Sequence, residues 1–235
     1  MSRSSGSVRP RAARKSPEER AEEIRSAACD LARADGLPAV TLRSVAARIG
    51  VAPALVAHYE PSMEELVATT FTTVTTAEVE EIAELLAEAP NATDKLRRLI
   101  GTLLEASRDD VTAVWADAFS LGRTNEPLAA SVRAVMDRWQ ALVVGVVDDG
   151  ITAGEFSTDE PADVAWQFLG MVDGVNAHAL VHYAGTPDRG RLVCRALENE
   201  LGLEHGALRT DGEMGHEAGD QLERRLPGHR TAGLP

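Results

Sequence analysis

The side chains able to do covalent chemistry are scattered along this chain. Glu105 and the Asp109–Asp110 pair are acidic, but they fall where solvated helix ends are expected. His205, His216 and His229 are too irregularly spaced for a metal site. Cys29 and Cys194 lie far apart, each inside a helical pattern, and read as buried reduced thiols rather than a disulfide or a metal pair. No nucleophile–base pair, glycine-rich phosphate loop or metal cluster is recognisable in the sequence. The residues therefore argue against an enzyme, and no cofactor is expected. What remains is the chemistry of recognition, and it concentrates in Thr41–Glu64, TLRSVAARIGVAPALVAHYEPSME.

That stretch reads as a helix, a sharp turn and a second short helix. Thr41 is a good N-cap, because its hydroxyl accepts a backbone N–H that the helix start leaves unpaired. Leu42, Val45, Ala46 and Ile49 recur at helical spacing. Gly50 tolerates the left-handed backbone of a tight turn. Val51 plugs the corner, and Pro53 stands at a first-turn position that lacks an N–H partner anyway. Ala46 is small where the helices cross. The pattern is that of a helix-turn-helix, whose second helix enters the DNA major groove. It also suits an ordinary pair of antiparallel helices.

The elements around it are helical throughout. Ser16-Pro17-Glu18-Glu19 starts a helix whose apolar face is Ile24, Ala27, Ala28, Leu31 and Ala32, ending near Asp35-Gly36. After Pro61-Ser62 a helix runs to about Ala87, with modest propensity across the threonine-rich 69–76. Further helices are expected around Leu96–Leu104 and Val111–Leu121, then over 126–153, 159–183 and 187–202. No strand-like alternation persists, so the fold class is all-α: an N-terminal helix-turn-helix head and a helical-bundle body. The expected division is a disordered basic arm over 1–15, the head over 16–62, the body over 63–203 and a disordered tail over 204–235, where six glycines and scattered charges show no periodicity.

Charge supports this division. The net charge is −13, yet residues 1–60 carry ten basic and seven acidic groups, and residues 61–235 carry fourteen and thirty. A basic arm and head on an acidic body suggest that the head meets DNA while phosphate repels the body. No uninterrupted run of about 20 apolar residues is present, so no membrane span is expected. The basic N-terminus lacks a signal peptide's apolar region, and a cytoplasmic protein is expected.

At this point the residues carry a resemblance. The helix over 17–35 followed by TLRSVAARIGVAPALVAHYEPSMEELV resembles the DNA-binding head of the TetR family of bacterial transcriptional repressors. The likeness covers about residues 17–70 and includes the His58-Tyr59-x-Pro61-Ser62 ending. The body, through VWADAFSLGRTNEPL and FLGMVDGVNAHAL, resembles more loosely the BetI-type subgroup. The resemblance implies a homodimer, a palindromic double-stranded DNA operator, and release by a small-molecule effector bound in the body. It makes Thr41 and Tyr59 phosphate contacts and Arg43 a backbone or base contact. It places Ala52, Pro53, Ala54, Leu55 and His58 on the recognition surface. Two residues depart from the family pattern: Met63 stands where a phosphate-holding lysine is usual, and Glu60 where an aromatic is usual. The recognition surface also lacks Arg, Asn and Gln, the side chains suited to bidentate base reading. Contacts to thymine methyls, DNA shape and the arginine-rich arm are expected to contribute much of the affinity. The departures keep open an adaptor with a degenerate head.

Two sites are expected in the body. Gly170 and Gly174 lie four apart on one helix, with Ala177, His178 and Val181 following. Each glycine costs about 1 kcal/mol against alanine in a helix interior, so the stripe suggests close helix approach. We assign it to a dimer bundle made with 187–202; packing inside one subunit is the alternative. A two-fold dimer would hold its recognition helices roughly 34–36 Å apart, one turn of DNA. The opposite face would line a ligand pocket from Leu103, Trp115, Phe119, Met136, Trp139, Phe168, Met171, Val172 and Asn176, suited to a largely apolar ligand. For any single one of these residues, plain core is the stronger reading. Trp115 or Trp139 with Asp173 would suit a cation.

Overall fold

A computed structural model describes residues 15–104, 108–183 and 189–209. Among them are nine α-helices and one 3-10 turn, and no strand. The head comprises α1 (Pro17–Asp35), the 3-10 turn Leu37–Ala39, α2 (Leu42–Arg48) and α3 (Pro53–Tyr59). The body follows as α4 (Met63–Ala87), α5 (Ala92–Leu103), α6 (Asp109–Leu121), α7 (Glu126–Ala153), α8 (Pro161–Leu180) and α9 (Arg189–Glu200).

The helix starts follow from their caps. The Ser16 hydroxyl accepts the Glu19 N–H at 3.1 Å while Glu19 Oε2 accepts the Ser16 N–H at 2.7 Å. Thr41 and Ser44 repeat this reciprocal pairing at 3.2 and 3.0 Å, which satisfies N–H groups that every helix start leaves open. Between α2 and α3, Gly50 takes φ +69°, and the Val51 N–H closes onto the Ala46 carbonyl at 2.9 Å. A side chain with a Cβ rarely adopts that backbone. Val45, Ala46 and Val56 are buried in the head, where α2 packs on both α1 and α3.

Body packing is organised on α4 and α7, the two longest helices. In the threonine-rich part of α4, Thr70, Thr72, Thr73 and Thr75 each donate their hydroxyl to the carbonyl one turn back, at 2.7–3.0 Å, so these hydroxyls are satisfied within the helix. α8 packs on α7 and α6, and α9 packs on α8 and α5.

The structure corrects three boundaries. The helix expected over 159–183 spans Pro161–Leu180. The Tyr183 N–H bonds to His178 O and the His182 N–H to Ala179 O, with His182 at φ 53°, so a left-handed residue closes the helix. The last helix, expected over 187–202, is described from Arg189 to Glu200, and residues 184–188 lie outside the described residues. The tail expected from 204 is packed as far as Arg209. Leu208 is buried and its N–H donates to Glu198 Oε1 at 3.0 Å. The arm up to residue 14 and the tail from 210 lie outside the described residues.

Candidate functional site: the head surface and the body cavity

α3 is too short to be stable alone, and it is held by one buried residue, Val56. Its other side is open: Ala52, Pro53, Ala54, Ala57 and His58 are exposed, and Leu55 and Tyr59 are half-buried. The rings of His58 and Tyr59 meet edge-on at 5.3 Å. Thr41 and Arg43 are exposed at the start of α2, and with Leu42, Pro53 and Met63 they line one open groove. The structure thus brings Thr41, Arg43 and Pro53, three of the residues expected to face DNA, to one groove. The two departures find local explanations. Met63 is half-buried against the core. Glu60 lies 3.9 Å from the Arg25 guanidinium, which supplies a counter-charge.

In the body, α4, α5, α6, α7 and α8 enclose a cavity of about 340 Å³. Leu103, Trp115, Phe119, Met136, Trp139, Val172 and Asn176 line it. Phe168 and Met171 do not. On α8 the cavity side is made by Leu169, Val172, Asp173, Gly174, Asn176, Ala177 and Leu180, a broad strip along one side of the helix. Phe168 and Met171 fall on another face of α8, where Phe168 is fully buried in the core and Met171 packs against it.

The polar groups of the cavity differ in how they are matched. Glu78 is 6% exposed. It accepts the Trp115 indole N–H at 3.2 Å, and the Arg108 guanidinium lies at 3.4 Å from it while bonding Glu81 at 3.0 Å. Burial raises the Glu78 carboxyl above the usual range, and Trp115 and Arg108 pull it back. Asn176 donates its amide N–H to the Leu103 carbonyl at 3.0 Å. Asp173 borders the cavity and is exposed to solvent, yet partial desolvation by the groups around it pushes its carboxyl up to about 6. No described residue donates to it. Glu78, Arg108 and Thr112 are cavity residues that the sequence reading did not select. Glu78 carried a usable signal, since an acid stands at a core position within Val74, Val79 and Ile82.

The glycine stripe does not lie opposite the pocket as expected, because two of its members, Gly174 and Ala177, line the cavity. Gly170, Gly174, Ala177, His178 and Val181 are all exposed. A Cβ built on Gly170 or Gly174 meets nothing within 4 Å, so packing inside one subunit does not explain them. Trp166, Val181, Tyr183 and Leu192 are large apolar residues left more than 60% exposed.

α6 touches both regions. Its Asp110 pairs with Arg33 of α1 at 3.0 Å, and its Asp117 carboxylate accepts the Leu37 N–H at 3.0 Å. A Cβ on Gly36 would come within 2.5 Å of that carboxylate. Trp115 and Phe119 of the same helix face the cavity.

Two family models match the chain. Residues 24–70 match bacterial regulatory proteins of the TetR family, and residues 92–202 match the C-terminal part of BetI-type transcriptional repressors. The chain belongs to the TetR family of transcriptional regulators, with a BetI-like C-terminal part. It is a DNA-binding transcription factor rather than an enzyme. No curated protein matches it. Solved TetR-like structures share the fold at low identity. A transcriptional regulator from Saccharomonospora viridis in complex with choline is 18% identical with a TM-score of 0.70, covering 78% of this chain and 98% of that one. One from Pseudomonas aeruginosa PAO1 is 23% identical with a TM-score of 0.66, covering 85% and 97%. The regulator FadR from Bacillus subtilis in complex with stearoyl-CoA is 18% identical with a TM-score of 0.59, covering 78% and 99%. Among the described residues of this TetR-family chain, no helix is long and apolar enough to cross a membrane.

Proposed function

We propose that this TetR-family protein is a cytoplasmic repressor. It binds a palindromic operator as a homodimer and is released when a small, largely apolar molecule occupies the body cavity. In this reading α3 enters the major groove, with Ala52, Pro53, Ala54, Leu55 and His58 toward the bases. Thr41 and Tyr59 hold phosphates, and Arg43 reaches the backbone or a base edge. The stripe from Gly170 to Val181 meets its copy in the partner, together with α9.

The observation that carries the reading is α6. One helix presents Trp115 and Phe119 to the cavity and Asp110 and Asp117 to the head. A ligand that shifts α6 changes the seat of α1 and the 3-10 turn, and so the angle of the head. It regulates only if its affinity differs between the two arrangements. The relatives with choline and stearoyl-CoA carry very different ligands on this fold, so the cavity's own side chains must decide what this chain binds. The Glu60–Arg25 pairing weakens the adaptor reading, because the head does not present a bare acid to DNA.

The test is binding to the promoter region beside its own gene across a salt series. Operator-selective binding that weakens steeply with salt is expected. Absence of selectivity at every salt concentration rejects the repressor.

A further inference from the structure

The cavity's charges do not balance. Glu78 is matched by Arg108 and by the Trp115 N–H, so that cluster needs nothing from a ligand. Asp173 has no described partner. One turn along the same face of α8, Asn176 donates one amide N–H to the Leu103 carbonyl. That carbonyl needs a donor, which fixes the amide orientation and leaves the Asn176 oxygen as a second open acceptor among the described residues. A carboxylate and an amide oxygen at i and i+3 are helix-surface neighbours. They sit at the polar edge of walls made by Trp115, Phe119, Met136 and Val172.

We propose that the effector is a protonated primary or secondary amine on an apolar body, its ammonium held between the Asp173 carboxylate and the Asn176 amide oxygen. This rests on the reading of the cavity as the effector site. An ammonium with two N–H donors satisfies both acceptors and restores charge balance. A neutral alcohol offers one donor and no charge. A quaternary ammonium offers charge and no donor, and leaves the Asn176 oxygen unpaired. A carboxylate is repelled by Asp173.

The test uses the full chain and four probes with one body: 4-phenylbutylamine, 4-phenylbutan-1-ol, N,N,N-trimethyl-4-phenylbutylammonium and 4-phenylbutyrate. Binding is read from tryptophan fluorescence, since Trp115 and Trp139 face the cavity. The amine is expected to bind at least about tenfold tighter than the alcohol, as suits a hydrogen bond to a charged group, and tighter than the trimethyl analogue. Asp173→Asn should erase the amine's advantage over the alcohol. Asn176→Ala should erase its advantage over the trimethyl analogue. An alcohol that binds as tightly as the amine, or an advantage that survives Asp173→Asn, overturns the proposal and leaves the cavity as an effector site. Equal binding of the amine and its trimethyl analogue overturns the role of Asn176. If Asp173→Asn shifts only the dimer dissociation constant, Asp173 belongs to the subunit contact and the proposal falls. Binding of none of the four probes overturns both the proposal and the effector-site reading beneath it.

Discussion

The head and the body treat buried polar groups in opposite ways. In the head, the buried side chains are Ile24, Ala27, Ala28, Leu31, Ala32, Leu37, Val40, Val45, Ala46 and Val56, all apolar. In the body, Thr70, Thr75, Glu78 and Glu198 are buried, and an unpartnered Asp173 opens onto a cavity. Burying a polar group is costly unless it is matched. A small apolar core suits a reader whose surface must stay rigid. The body instead matches each of Thr70, Thr75, Glu78 and Glu198 with a hydrogen bond and leaves a solvent-exposed acid, Asp173, bordering a cavity without a partner among the described residues. On the proposed reading, the difference separates the part that holds its shape from the part that takes up a ligand.

The sharpest way to break this division is Val56→Asp. An unpaired charge at this fully buried position costs about 3–5 kcal/mol. DNA binding in a gel-shift assay should disappear while probe binding in the cavity persists; loss of both would mean that head and body are one unit. Next in size is Gly170→Leu. The position has room within one subunit, so folding should be unaffected. Light scattering should report a monomer, and operator affinity should fall about a hundredfold or more through lost bivalency. A dimer that survives removes α8 from the contact.

Glu78→Ala sharpens the comparison from the body side. It strips Trp115 and Arg108 of an acceptor and should cost about 1–3 kcal/mol by urea unfolding. An unchanged midpoint would mean that the cluster is not structural. Asp117→Ala removes the acceptor of the Leu37 N–H. About 1 kcal/mol of stability should go, together with most of the effector's ability to release DNA. Unaltered release would show that α6 does not link the regions through this contact.

The smallest effect is at Asp173. Its carboxyl is raised from 3.8 to about 6 by desolvation. Between those values the folded state holds more protons than the unfolded one, so stability should fall as pH rises through that window. The mouth is open to solvent, so the effect should be well below the full linkage value. Melting curves should show the stability of wild type relative to Asp173→Asn falling as pH rises through that window; a difference that does not change with pH would contradict the shift. Glu78 and Arg108, the other charged groups lining the cavity, remain in both proteins.

Much of the fold was legible because its punctuation is chemical. Asn125, Pro127 and Gly154 bound α7 where the sequence places it, and Thr41 and Gly50 mark the turn motif. The end of α8 was not legible, since His182 gives little signal for a left-handed backbone. Leu208 was not legible either. Its burial depends on a hydrogen bond to Glu198 rather than on any periodicity. In the cavity, residue type selected Trp115, Trp139 and Val172, but choosing the stripe on α8 needed the rotation of that helix against α6. For that reason Phe168 and Met171 were misplaced. The isolation of Asp173 depends on distances between helices, which no local pattern encodes.

Footprinting of the duplex beside the protein's own gene at physiological salt tests the head most directly. Two protected half-sites centred about 34–36 Å apart, one turn of DNA, are expected, with protection lost on Val56→Asp. Uniform protection without half-sites, or protection that survives that substitution, would contradict the proposed reading of the head.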